Sequence, residues 1–181
     1  MADQLIVLKK VVKMLEGIKV GYMITGSIAF NYYAVPRMTR DIDILVDISV
    51  EDIEKIFNAF EKDFYIDMNA LKDAVRDLGM FNIVNFKNPV KVDFIILKKN
   101  EYERLKFSRR HRKKINGFEI FIISPEDLII SKLMWAMDSM SEIQLKDVSD
   151  IVLCVTNLDL NYLEFWVKKL ELEKMYEMAL K

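Results

Sequence analysis

The stretch Arg40-Asp41-Ile42-Asp43-Ile44-Leu45-Val46 constrains this chain more than any other. Its alternation predicts a β-strand over 41–46, since successive strand side chains leave from opposite faces. Asp41 and Asp43 then share one face, and Ile42 and Ile44 the other. Neighbouring carboxylates on one face repel, and they cost stability unless a cation sits between them. Hard divalent ions such as Mg²⁺ take oxygen ligands, so the pair is a credible metal clamp. In Lys91-Val92-Asp93-Phe94-Ile95, a second predicted strand, Asp93 is an acid on the face opposite Val92 and Phe94. A third carboxylate from a neighbouring strand would complete a site for two ions, typically ~3.5–4 Å apart, clamping attacking and leaving oxygens.

Apolar spacing predicts an amphipathic helix over 4–15, stopped near Gly17, then a short strand over 20–25. Ser27 can cap a short helix over 28–34, which Pro36 ends. A second amphipathic helix is predicted over 49–60 and a weaker one over 69–78. Strands follow over 81–86 and 90–97, joined through Asn88-Pro89. Asn116-Gly117 signals a hairpin, because both central positions of a type I′ turn need positive φ. Ser124-Pro125-Glu126-Asp127 has the cap and first-turn proline of a helix start, and the rest reads as helices. The expected fold class is α/β (α+β): a small mixed sheet flanked by helices, with a C-terminal helical portion. The expected domains are an α/β core over 1–123 and helices over 124–181 packed on it.

Composition narrows the functional classes. With 52% hydrophobic and 30% charged residues, five Gly and three Pro, disorder and collagen-like classes are excluded. A formal net charge of -1 gives no global positive field for nucleic acid. Cys154 is the single cysteine and His111 the single histidine, so neither an internal disulfide nor a Cys/His zinc site is open. A reducing, cytoplasmic setting is expected, with no signal peptide apparent and no apolar run of the roughly 18 residues a membrane span needs.

Gly26-Ser27 supplies a second piece of chemistry. A strand, a small-residue turn and a helix start expose backbone N–H groups and a positive dipole end to a phosphate. Gly permits close approach, and the Ser hydroxyl can donate to a phosphate oxygen. Taken alone, Gly-Ser is more often a helix cap and the acids surface residues on a half-exposed strand. Their order along the chain, with strands on both sides, favours a site.

With these residues in place, the sequence resembles the DNA polymerase β-like nucleotidyltransferase superfamily. That motif sets Gly-Ser at a helix start, Asp-x-Asp on the next strand and a third acid on a later one: here Gly26-Ser27, Asp41-Ile42-Asp43 and Asp93. The resemblance covers roughly residues 20–97. Arg37-x-Thr39-x-Asp41-Ile42-Asp43 is similar to a subgroup that includes the abortive-infection toxin nucleotidyltransferases. Later segments around Glu126 and Lys132, and Lys146-Asp147 with Asp150, are similar to that subgroup too. The thirteen residues between Ser27 and Asp41 lie towards the long end for the superfamily and are natural for the subgroup.

The resemblance implies a Mg²⁺-dependent enzyme, with two ions and Mn²⁺ able to substitute, moving a nucleoside monophosphate from an NTP to an acceptor hydroxyl with release of pyrophosphate. Asp41, Asp43 and Asp93 are the expected catalytic metal ligands, and Gly26, Ser27, Arg37, Arg40 and Lys132 the nucleotide-binding residues. The acceptor stays open among an RNA end, a protein hydroxyl and a small molecule, and a cognate antitoxin is a candidate partner. The alternatives are a toxin acting on RNA or protein, and a catalytically idle nucleotide-binding module on the same fold. Arg37 and Arg40 either reach triphosphate oxygens or neutralise the acids. Lys132 either snorkels to solvent or points at the triphosphate. Lys146-Asp147 and Asp150 can equally be a helix-start ion pair. The run Arg109-Arg110-His111-Arg112-Lys113-Lys114 reads as six positions on a strand, a solvated arm guarded by charge against edge pairing, or more sharply as an RNA dock.

Overall fold

A computed structural model describes residues 2–39 and 41–181. The described residues divide into two compact units, a sheet unit within 1–28 and 38–122 and a helical unit of 29–37 and 123–181. Helix α2 (Gly26–Tyr33) contributes its first turn to the sheet unit and its remainder to the helical one.

The sheet unit holds one mixed seven-stranded sheet among the described residues. Its strands are β1 (Gly21–Ile24), β2 (Ile42–Asp47), β3 (Phe64–Ile66), β4 (Met80–Asn85), β5 (Lys91–Ile96), β6 (His111–Ile115) and β7 (Phe118–Ile122), in the order β3-β4-β5-β2-β1-β7-β6. Pairs β2–β5 and β1–β7 run parallel and the others antiparallel. Helices α1 (Ala2–Gly17), α3 (Ile53–Phe60, after a 3₁₀ turn at Val50–Asp52), α4 (Met68–Asp77) and α5 (Glu101–Ser108) complete the unit. Their packing explains the period of the strands. Phe60 of α3 meets Phe64 and Phe94 edge-on at 5.5 and 5.6 Å, and Phe81 stacks on Phe94 at 5.0 Å. Ile42, Ile44, Val46, Val92, Phe94 and Ile96 are all buried. The residues alternating with them leave from the other face.

Most elements fall where the sequence places them. Asn116 and Gly117 have φ of 45° and 84°, the sign pair of the expected turn. Ser124 caps α6 (Pro125–Ser139) by accepting from the Asp127 N–H at 3.1 Å. Two elements lie outside the expectations. Strand β3 is a three-residue edge strand, too short to show a period. Helix α5 sits where the expectations placed no element, although Asn100 caps it by accepting from the Glu103 N–H at 2.8 Å.

The basic run departs from expectation. Arg109 ends α5 and only His111 onward is strand, so the six residues do not share one. The Arg110 guanidinium lies 4.1 Å from the Phe107 ring and 5.0 Å from Phe121, and donates to the Phe107 carbonyl at 2.6 Å. Arg112 pairs with Glu119 at 2.7 Å. Aromatic packing therefore engages Arg110 internally, whereas Arg112 and Lys114 are exposed. Strand β6 does lie at the sheet edge.

The helical unit comprises the rest of α2, α6, α7 (Glu142–Cys154), α8 (Leu160–Lys169) and α9 (Glu173–Ala179). Asp127 anchors it: buried, it accepts from Ser124 Oγ and from the Tyr162 hydroxyl, each at 2.7 Å. No helix among the described residues is long and apolar enough to cross a membrane.

Candidate active site

Strands β2 and β5, about fifty residues apart in sequence, pair so that Asp43 stands opposite Asp93. The flanking pairs are Ile42–Val92 and Ile44–Phe94, whose side chains fill the face covered by α3. Parity then forces both side chains onto the opposite face, from backbones one strand spacing (about 4.8 Å) apart. On β4, Asn82 stands opposite Asp93 and extends the polar row to a third strand. The Asp93 side chain is only 8% exposed. Asp41 precedes β2 instead of opening it, and its side chain is 48% exposed.

Gly26 is pressed against Asp43. Its φ is +59°, and a Cβ built there would overlap the Asp43 carboxylate, with Cγ 2.6 Å away. Backbone sign and crowding both demand glycine. The Thr25 N–H donates to the Asp43 carbonyl at 3.0 Å, tying the end of β1 to β2. Helix α2 begins at Gly26, so Ser27 lies within its first turn and does not cap it from outside as expected. This turn places the positive end of a helix beside a carboxylate, which favours negative charge there.

Lys91 is a site residue that the sequence reading did not single out. Its Nζ lies 2.8 Å from Asp93 Oδ2 and 3.8 Å from Asp41 Oδ2. The hydrogen bond to Asp93, opposed by partial burial and reinforced by the charges of Asp93, Asp41 and Asp43, raises its pKa and holds it cationic. The signal was available, since Lys91 is two residues before Asp93 and so on the same strand face.

As the side chains stand, no three His, Cys, Asp or Glu groups among the described residues are gathered tightly enough to hold a metal ion. The donor set nevertheless suits a hard cation. Asp93 Oδ1 is buried with no hydrogen-bond partner, an arrangement that costs free energy until something positive meets it. The donors are carboxylate oxygens, and a cation already bridges two of the acids.

In the helical unit, Arg37 and Lys132 meet on one carboxylate. Arg37 donates from Nε to Asp147 Oδ1 at 3.0 Å and from Nη2 to Oδ2 at 2.8 Å. Lys132 Nζ donates to the same Oδ2 at 2.7 Å and to Gln144 Oε1 at 3.0 Å. Both cations also lie over the Phe30 ring, at 5.3 and 5.5 Å. Burial works to raise the Asp147 pKa, but the bonds from Arg37 and Lys132 outweigh it and hold the carboxyl below its usual range. Asp147 lies in the middle of α7, so it is not half of a helix-start pair with Lys146; Lys146 is exposed. Arg40 lies outside the described residues.

A mixed sheet carrying paired aspartates beside a Gly-Ser helix start defines a class, the nucleotidyltransferase fold of the DNA polymerase β-like superfamily. Solved structures share that fold. The lincosamide antibiotic adenylyltransferase LnuA, lincomycin-bound, aligns with TM-score 0.57 and 14% identity over 82% of this chain and 96% of its own. The antibiotic-resistance factor ANT(2'')-Ia aligns with TM-score 0.59 and 16% identity over 97% of each chain. An antigenic nucleotidyltransferase-like protein from Paracoccidioides brasiliensis aligns with TM-score 0.53 and 17% identity over 94% of this chain and 88% of its own. No curated protein matches the sequence. The particular family follows from the sequence itself: the model of the AbiEii family, described as "Nucleotidyl transferase AbiEii toxin, Type IV TA system", matches residues 24–177, and the chain belongs to that family.

Proposed function

We propose that this protein transfers a nucleoside monophosphate from an NTP to an acceptor hydroxyl. The acceptor hydroxyl gives up its proton to solvent and its oxygen forms a bond to the α-phosphorus, the bond from that phosphorus to the bridging oxygen breaks, and pyrophosphate leaves. The observation that supports this most is the in-register pairing of Asp43 with Asp93 on one sheet face, with Gly26 packed against Asp43. Asp41, Asp43 and Asp93 are the residues that would hold Mg²⁺ or Mn²⁺. When bound, two such ions neutralise the triphosphate and lower the pKa of the acceptor hydroxyl.

The chain's own groups position the reactants. Backbone N–H groups at the start of α2, beside Gly26 and Ser27, suit phosphate oxygens, and the Ser27 hydroxyl can donate to one. In the helical unit Arg37, 35% exposed and bonded through Nε and Nη2 to Asp147, is proposed as a nucleotide-binding residue of that unit. Lys132, 5% exposed and bonded to Asp147, is proposed to hold that carboxylate in place beneath Arg37. The family description supports a cellular role as the toxin of a toxin–antitoxin pair, with an antitoxin as its partner.

The test is to incubate the full chain with each α-³²P NTP, Mg²⁺ and cell extract. One NTP is expected to label a discrete acceptor, and Asp43→Asn to abolish the label while remaining folded. No labelled product with any NTP, or equal labelling by Asp43→Asn, overturns the proposal.

A further inference from the structure

The contacts of Lys91 have no role in the transfer chemistry above, yet they lie at its centre. Lys91 and Asp93 share one face of β5, and the Lys91 ammonium is bonded to Asp93 Oδ2 at 2.8 Å while standing 3.8 Å from Asp41 Oδ2. A lysine–carboxylate pair on an open surface contributes little, because water screens it and two long side chains must be ordered. This pair is of another kind, since the Asp93 side chain is 8% exposed while the Lys91 side chain is 41% exposed. A flexible cation reaches inward to a carboxylate that has lost most of its water. It satisfies only one oxygen, because Asp93 Oδ1 remains buried without a partner. The ammonium therefore offsets part of the repulsion among Asp41, Asp43 and Asp93 and leaves coordination capacity unused. It also stands among the donors that a divalent ion would need.

We infer that Lys91 is the resident counter-cation of the acid cluster, and that a divalent ion binds by displacing its ammonium from Asp93. The inference rests on the metal-dependent reading given above. An ammonium 2.8 Å from Asp93 Oδ2 and a divalent ion held by the same carboxylate would repel at close range, so an ion bound to Asp93 expels the lysine and the lysine's return weakens the ion's hold. The long lysine stem, already partly in solvent, lets the head group swing outward without moving β5. Lys91 is thus a positioning residue: it keeps Asp93 aligned in the ion-free protein and sets the ion concentration at which the site fills.

The test is isothermal titration of the full chain with Mn²⁺, without nucleotide, alongside melting curves with and without Mn²⁺. Lys91→Met, which removes the charge and keeps most of the stem, is expected to bind Mn²⁺ at least tenfold more tightly than wild type. It is expected to melt lower than wild type without the ion and to gain more from adding it. Lys91→Arg, which restores a cation, is expected to return the affinity to the wild-type range. Should Lys91→Met reduce the folded fraction, Lys91→Gln retains a donor to Asp93 and carries the same expectation. Wild-type binding with no tightening in the neutral variants overturns the inference alone. Absence of Mn²⁺ binding in wild type and neutral variants alike overturns the metal-dependent reading and the inference with it.

Discussion

At the scale of single residues, charge is arranged in two ways. In the sheet unit, acids outnumber the cation that meets them: Lys91 stands against Asp93 and Asp41, with Asp43 across the strand pair. In the helical unit the ratio inverts, and one carboxylate, Asp147, serves Arg37 and Lys132. The side chains of Asp147 and Lys132 are 3% and 5% exposed, so the bonds within this network stand in for water around both charges. Replacing Asp147 with Asn keeps the shape but takes the anion from the buried Lys132, an uncompensated burial that costs about 3–5 kcal/mol. A fall in melting temperature on the order of 10 °C is expected for a chain of this size. The pH dependence has a definite sign. The folded pKa of Asp147 lies below the unfolded value of 3.8, so its contribution is fully present above that value. It is lost as pH falls through the folded pKa. Melting curves from pH 7 down to pH 3 are therefore expected to show a wild-type advantage over Asp147→Asn that shrinks below pH 4. A constant gap across that range would remove Asp147 from the network.

At the scale of elements, local chemistry and packing divide the work. Helix α6 starts at a Ser-Pro signal that any reader of the sequence can find, and Ser124 both accepts from the Asp127 N–H and donates to its carboxylate. Helix α5 carries a similar signal in Asn100 and Glu103, three positions apart, but lacks an apolar stripe to announce it. Its buried residues include the pair Glu103–Lys106, joined at 2.7 Å, in place of two aliphatic side chains. The helix therefore leans on its cap more than α3 does, whose apolar face packs on Phe94. Asn100→Ala is expected to cost about 1 kcal/mol. Chemical denaturation should show an unchanged slope and a lower midpoint, and Asn100→Asp should recover most of the loss. Strand β3 had no such local mark. Three residues cannot display a period, and Phe64–Ile66 became a strand because β4 offered an edge to pair with.

At the scale of the whole molecule, the net charge of -1 and the internal engagement of Arg110 point the same way. Arg110 is sandwiched by Phe107 and Phe121, and Arg112 is paired with Glu119. Replacing both by Ala is expected to lower the melting temperature and leave RNA affinity and its salt slope unchanged, as read by titrating labelled RNA at 50 and 200 mM salt. A shallower salt slope in the double variant would instead assign those arginines to phosphate contacts. What the sequence determined by itself was periodic and local: the strand parity of 42–46 and of 91–96 within the strands expected over 41–46 and 90–97, the turn at Asn116-Gly117, the cap at Ser124, and the chemical kind of the acids. These follow from the pleat, from backbone sterics and from side chains that bond within a few residues, so a short window contains them. Only the tertiary structure decided that β2 lies beside β5, that Asp43 therefore faces Asp93, that Gly26 has no room for a Cβ, and that Arg37 and Lys132 share Asp147. Those pairings join residues from fifteen to 110 positions apart, and no local period encodes them. They are set when the whole chain buries its apolar faces and each desolvated charge takes the partner that this burial leaves within reach.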